Sequence, residues 1–379
     1  MEELFVQNPF IVGKYLSDKY FCDRSEETAF LRKQIENGRN VALISPRRIG
    51  KSGLIQHLFN LPDIKEQYYV FFIDIYATTS LNELVYILGK EIYEQLKPKT
   101  TAWKEKFFQT IASLRIGAKL DPMSGLPTLD LGLGDILTPQ TTLDEIFAYL
   151  NEADKPCIVA IDEFQQIAEY AEKNVEALLR TKIQQCRQAQ FIFSGSKRHV
   201  MSLMFNSPAK PFYQSAVSMG LEPIPVPIYK DFAIRLFADR NKRIDPEVIE
   251  TVWQQYEGYT WFVQMMMNEL YALTPVGETC RLEQIETAER NIILAQETSY
   301  RELLSNLPPR QKTVLQAIAK EGKARNITSQ QFIKKYNLGS ASSIQSAVKL
   351  LLKSDLITQT DGVYRVYDFF FSRWLAIFY

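Results

Sequence analysis

Histidine and cysteine are scarce. His57 and His199, with Cys22, Cys157, Cys186 and Cys280, stand far apart in 379 residues and form no spacing that would gather a zinc or redox site. The thiols read as reduced. No sign of charge is in excess either: 44 Lys and Arg balance 44 Asp and Glu, so no molecule-wide field draws the chain to nucleic acid or membrane. Any such attraction has to be local. No stretch approaches the ~18 uninterrupted apolar residues of a membrane span, and the opening "MEELFVQNPFIVGKYL" carries acids where a signal peptide carries bases. A cytoplasmic protein with no membrane partner is expected. Disorder is excluded by a composition of 46% hydrophobic, 12% aromatic and 23% charged residues.

What is present has the grammar of an α/β protein. "TAFLRKQIENG" (28–38) has helical spacing, and "NVALIS" after it is a fully apolar run suited to a buried strand. Strand-like runs recur at 68–77, 157–164, 190–196 and 217–226, with helical spacing in "SLNELVYILGKEIYEQL" and "QQIAEYAEKNVEALLRTKIQQCRQ". Five apolar strands alternating with helices predict a parallel sheet covered on both faces. The stretch 115–135 breaks the pattern with Asp-Pro and Ser-Gly between alternating runs and reads as an inserted hairpin. From about residue 228 the strands disappear and short helices follow, read as a helical lid. From "LPPRQKTVLQAIAKEGK" onward three helical stretches precede two β-like runs around Asp361-Gly362, the order of a winged helix-turn-helix. Eleven Lys and Arg against four Asp and Glu from Leu307 onward give that segment a local excess of seven positive charges. The expected division is 1–227, an αβ domain; 228–300, the lid; and 301–379, the winged helix.

The chemistry concentrates in two motifs. "ALISPRRIGKSG" ends a buried strand in Gly50-Lys51-Ser52 and opens a helix, as in a loop that wraps phosphate with backbone N–H groups, reaches the outer phosphates with a lysine and ligates magnesium through a serine. Ser45 stands where such loops usually have their first glycine, at the position farthest from the transferred phosphate. Pro46 stiffens the loop; Arg47 and Arg48 either meet the polyanion or are solvated. "IVAIDEF" is an apolar strand ending in two acids: Asp162 to hold magnesium and Glu163 to polarise an attacking water. Ser194 and Ser196 in "FIFSGSKRH" end the next strand, where Ser196 could sense the γ-phosphate or simply make a turn.

These residues resemble the archaeal-type P-loop ATPases of the STAND branch of the AAA+ superfamily, with bacterial relatives that carry a C-terminal winged helix. The resemblance covers nearly the whole chain, through "NPFIVGKYLSDKYFCDRSEE", "LISPRRIGKSGLI", "AIDEFQQI", "FSGSKRHVMSLMF", "EGYTWFVQ" and "YRVYDFFFSRWL". It implies a nucleotide between the αβ domain and the lid, with Arg24 near the nucleotide and Asn8, Pro9 and Phe10 near the adenine. The implied nucleotide-binding set continues through Ser45, Pro46, Arg47, Arg48, Ile49, Gly50, Lys51, Ser52 and Gly53. Lys51, Asp162, Glu163 and Ser196 are the implied catalytic residues, and Ser52 and Asp162 the Mg2+ ligands. Asp23 replaces the family's usual glycine, Gly258-Tyr259-Thr260 stands for its Gly-x-Pro, and "KPFYQSA" lacks its usual arginine.

The expected cofactors are ATP or ADP with Mg2+. The expected function is slow, Mg-dependent ATP hydrolysis acting as a nucleotide-controlled switch, in a chain that can form a homo-oligomer. The winged helix would contact duplex DNA or a protein, with Ser342, Ser343, Gln345, Lys349 and Lys353 as candidate nucleic-acid contacts. The alternative is a non-hydrolysing, nucleotide-gated DNA-binding or protein-scaffold module. The aromatic tail "YDFFFSRWLAIFY" is either core or a docking strip.

Overall fold

The computed structural model describes residues 6–96, 119–120, 127–128 and 138–379. The chain forms two compact units, Gly13–Ile224 and a second made of Met1–Val12 with Pro225–Tyr379.

The first unit is built on a five-stranded sheet: β1 (Val41–Ile44), β2 (Tyr69–Asp74), β5 (Cys157–Asp162), β6 (Ala189–Gly195) and β7 (Val217–Met219). Its order is β2-β5-β6-β1-β7 and every pairing is parallel. Alternation along β5 explains why both faces are covered. Cys157, Val159 and Ile161 point into a core with Leu84, Leu88, Ile146 and Leu179. Ile158 and Ala160 point into the opposite core, with Leu31, Ile35, Leu54 and Leu58.

The register sets what lies beside what at the strand ends. Ile44 pairs with Gly195 and Asp74 with Asp162. Because all five strands run the same way, the loops after β1, β5 and β6 emerge along one edge, where open α/β sheets place their ligands. The antiparallel pair β3 (Lys119–Leu120) and β4 (Pro127–Thr128) falls within the expected hairpin; the rest of 115–135 lies outside the described residues.

Two expectations are corrected here. The long helix after Glu163 is broken: a 3-10 turn covers Phe164–Glu169, and an α-helix restarts at Val175–Gln185 after Asn174, whose φ of 71° ends the preceding turn. Strands also persist beyond residue 228, since Arg243–Ile244 (β8) and Thr279–Cys280 (β9) pair in parallel.

In the second unit, helices Val226–Ala238, Pro246–Gln255, Thr260–Leu273 and Gln284–Ser305 precede a winged helix. That element comprises Pro309–Glu321, Gln330–Lys335, Ala341–Lys353 and the hairpin β10 (Ile357–Thr360) with β11 (Val363–Val366). The aromatic tail becomes a helix, Phe369–Phe378, that buries Phe370, Phe371, Trp374 and Leu375 and leaves Ile377 and Phe378 exposed. The N-terminal segment packs here too: Phe10 is fully buried against Phe232, Phe237 and Tyr271, and Asn268 donates to its carbonyl at 2.8 Å. All four cysteines are buried free thiols; burial pushes Cys157 up to about 12 and Cys186 and Cys280 up to about 11, away from reactivity. Among the described residues no helix is long and apolar enough to cross a membrane.

Candidate functional site

The loop between β1 and the helix Lys51–Asn60 needs two left-handed residues, Arg48 with φ 65° and Gly50 with φ 104°. Gly50 is the N-cap of that helix and supplies the second at no steric cost. Ser45, buried, fixes the start of the loop: its amide donates to the Gly195 carbonyl at 3.3 Å and its hydroxyl accepts from Leu221 N–H at 2.5 Å. A serine at this position therefore ties the loop to the chain leaving β7, a contact that glycine could not make. Arg24 holds the loop's far side, with Nη2 donating to the Ile49 carbonyl at 3.2 Å while Nη1 pairs with Glu27 at 2.6 Å.

Lys51 is buried and donates from Nζ to the carbonyls of Ser45 (3.0 Å) and Pro46 (2.9 Å). Burial pushes its ammonium below the ordinary lysine value; Glu163 and Asp162 oppose that shift, and Arg47 adds to it. Ser52 Oγ, one residue on, donates to Asp162 Oδ2 at 2.6 Å. A Cβ added at Gly53 would meet nothing closer than ordinary contact with Phe21.

Glu163 follows β5 in a left-handed conformation, φ 54°, which turns it out of the strand direction. Its Oε2 accepts from Ser196 Oγ at 2.7 Å and from Gln165 Nε2. Arg47 Nε reaches Ser196 Oγ at 3.3 Å, and its guanidinium lies 5.6 Å from the ring of the exposed Tyr76. Asp74, beside Asp162 in register, has its carboxyl raised first by burial and then by Asp162 and Glu163, against the bond from Tyr76 N–H.

The structure thus brings Arg24, Ser45 to Gly53, Asp162, Glu163 and Ser196 together at one edge of the first unit. Asn8, Pro9 and Phe10 belong to the second unit, where Asn8 Nδ2 donates to the Asn268 carbonyl at 2.8 Å. On the helix Ala341–Lys353, Ser342, Gln345, Lys349 and Lys353 share one exposed face. Ser343 does not; its N–H is capped by the Ser340 hydroxyl at 3.3 Å and its Oγ donates to the Ser340 carbonyl at 2.7 Å.

Three residues of the network escaped the sequence reading. Gln165 lies two residues after Glu163, in a turn that also carries Gln166 and Glu169, so its polarity did not single it out. Asp74 ends β2 and Tyr76 lies two residues beyond it; nothing local marks them, and only the β2–β5 pairing sets Asp74 beside Asp162.

Hard oxygens at Ser52 and Asp162 suit a magnesium ion that arrives with phosphates and takes few protein ligands. Among the described residues no three His, Cys, Asp or Glu side chains form a metal-binding group of their own.

A search of curated proteins by sequence finds no match. Residues 298–377 match the family model described as "probable winged helix domain". Among solved structures, the chain is similar to a Walker-type ATPase of Pyrococcus abyssi: 20% identity, TM-score 0.63, covering 97% of this chain and 99% of that one. It is also similar to the Aeropyrum pernix ORC2 protein in ADPNP-ADP complexes, with 12% identity, TM-score 0.57, and coverage of 97% and 95%. A third similar structure is the Aeropyrum pernix ORC1 protein in complex with DNA, with 12% identity, TM-score 0.53, and coverage of 94% and 92%. At these identities the likeness is one of fold. The chain shares its fold with that Walker-type ATPase and with the two ORC proteins, a five-stranded parallel P-loop sheet followed by a C-terminal winged helix domain.

Proposed function

We propose that the chain binds ATP with Mg2+ in the loop 45–53 and hydrolyses it slowly, as a nucleotide-controlled switch read out through its winged helix. The observation that carries this reading is the meeting of a P-loop lysine, the Ser52–Asp162 pair and the Glu163–Ser196 pair along one sheet edge. In it, the loop's backbone N–H groups and the helix N-terminus hold the β-phosphate. Lys51 exchanges the Ser45 and Pro46 carbonyls for phosphate oxygens, a better match for a desolvated ammonium. Ser52 and Asp162 would hold Mg2+, which supplies charge neutralisation at the phosphates. Glu163 orients a water and accepts its proton, and Ser196 holds the carboxylate in place. Arg24, fixed on the Ile49 carbonyl, acts on the loop from behind.

The fold shared with an ORC2 protein in ADPNP and ADP complexes supports a nucleotide as ligand. The test is ATP hydrolysis by the purified chain with Mg2+, beside Lys51→Ala and Glu163→Gln, with and without duplex DNA. Turnover lost in both variants supports the reading. Nucleotide binding without turnover in the wild type overturns hydrolysis.

One observation favours a second reading, a nucleotide-gated DNA-binding module. Ser342, Gln345, Lys349 and Lys353 lie on one exposed face of the winged helix, in a segment with seven excess positive charges. Duplex binding that weakens with salt and with Lys349→Ala, in a protein that does not hydrolyse ATP, would select it.

A further inference from the structure

Gln165 is 2% exposed, yet both ends of its amide are used. Nε2 donates to Glu163 Oε2, and Oε1 accepts from the backbone N–H of Ser196 at 3.2 Å. Ser196 in turn donates from its hydroxyl to the same Glu163 oxygen at 2.7 Å and accepts from Arg47 Nε at 3.3 Å. A closed ring results, from the Glu163 carboxylate through the Gln165 amide to the Ser196 backbone and back through the Ser196 hydroxyl, with the phosphate loop attached through Arg47. The neighbouring Gln166 has other work, donating to the Thr78 carbonyl at 3.1 Å.

The site is built around this amide. A Cβ added at Gly195 would fall 2.5 Å from Gln165 Oε1 and 2.5 Å from Met201 Sδ, so the glycine is what leaves room for the glutamine. The left-handed turn at Glu163 costs on the order of 1 kcal/mol or more and persists only where the surroundings hold it. Two donors on one carboxylate oxygen, both on buried or half-buried side chains, are such a hold.

We propose that Gln165 is a positioning residue for ATP hydrolysis: its amide aims the Glu163 carboxylate and couples it to Ser196 and, through Arg47, to the phosphate loop. This rests on the reading of Glu163 as the group that activates water. Both polar ends of Gln165 are taken by protein groups, so its route to the reaction is through Glu163 and Ser196. Because it acts only through Glu163, its effect falls on turnover and not on nucleotide affinity, and it vanishes when Glu163 has already lost its function.

The experiment is a double-mutant cycle on the full chain with Gln165→Leu, Glu163→Gln and the pair together. The readouts are kcat and KM for Mg-ATP, with fluorescent ADP binding as a check of the folded site. Gln165→Leu should lower kcat by about tenfold, less than Glu163→Gln, with KM and ADP affinity within about twofold, and should cause no further fall in the Glu163→Gln background. Gln165→Glu, similar in shape but repelling Glu163, should behave alike, and serves if the leucine variant does not fold. Gly195→Ala, which displaces the amide, should reproduce the same split. If Glu163→Gln abolishes turnover while Gln165→Leu and Gln165→Glu leave kcat unchanged or raised, or raise KM at constant kcat, the positioning role is overturned and hydrolysis through Glu163 stands. If Glu163→Gln turns over like the wild type, the reading of Glu163 fails, and this inference with it.

Discussion

The Ser52 hydroxyl donates to Asp162 Oδ2 at 2.6 Å, so two oxygens separated by 110 positions in the chain stand within one hydrogen bond of each other. These two residues would hold a magnesium ion, the Ser52 hydroxyl keeping its proton. Ser52→Ala and Asp162→Asn should therefore each remove most of the gain in ATP affinity that Mg2+ confers, leaving metal-free nucleotide binding within about threefold. Calorimetric titrations with ATP in Mg2+ and in EDTA check this.

Ser45→Ala strips the buried Leu221 N–H of its partner. We expect a loss of about 1–2 kcal/mol in stability, the usual cost of orphaning a buried donor, with little change in nucleotide affinity because the side chain faces the β7 exit. Denaturant unfolding beside a nucleotide titration separates the two effects.

Glu257 pairs with Lys323 at 2.6 Å and Arg365 at 2.5 Å, joining the turn after the helix Pro246–Gln255 to the winged helix within the second unit. Burial raises its carboxyl, but the hydrogen bonds and charges of Arg365 and Lys323 outweigh burial and hold it below the ordinary glutamate value of 4.5. A depressed folded value means that the stabilisation is complete above 4.5 and is lost as pH falls through the folded value. With the Glu257 side chain 30% exposed, solvent screening limits the effect to about 1 kcal/mol. Glu257→Gln should lower the thermal midpoint at pH 7, and its difference from wild type should shrink below pH 4.5.

Phe10→Ala should destabilise by about 3–5 kcal/mol, since the ring is fully buried among Phe232, Phe237 and Tyr271. Thermal unfolding without nucleotide is the measurement; a loss that appears only with nucleotide present would assign the ring to the ligand instead.

Much of this was legible in advance, for identifiable reasons. The strands at 41, 69, 157 and 189 are apolar runs bounded by turn residues, and Gly50-Lys51-Ser52 announces its loop because the steric demand at Gly50 is local. The break at 170–174 was not legible: helical spacing continues through "AEYAEKNVEAL", and a buried Tyr170 bonded to Thr78 competes with it from outside the helix. Strands β8 and β9 are two residues each, too short to show a period. Gln165 stood in plain sight, but its partners Ser196 and Glu163 meet only once β5 and β6 pair.

The burial of Phe10 also sets an order of events during synthesis. The ring leaves the ribosome well before its partners, since the Asn268 side chain that bonds its carbonyl follows 258 positions later. At about 5–20 residues per second, roughly 10 to 50 seconds pass before those partners exist. Through that interval the nascent chain carries an uncovered aromatic ring, while every strand of the parallel sheet emerges and can pair before Asn268 does. A segment made ahead of the sheet is among the last to find its place.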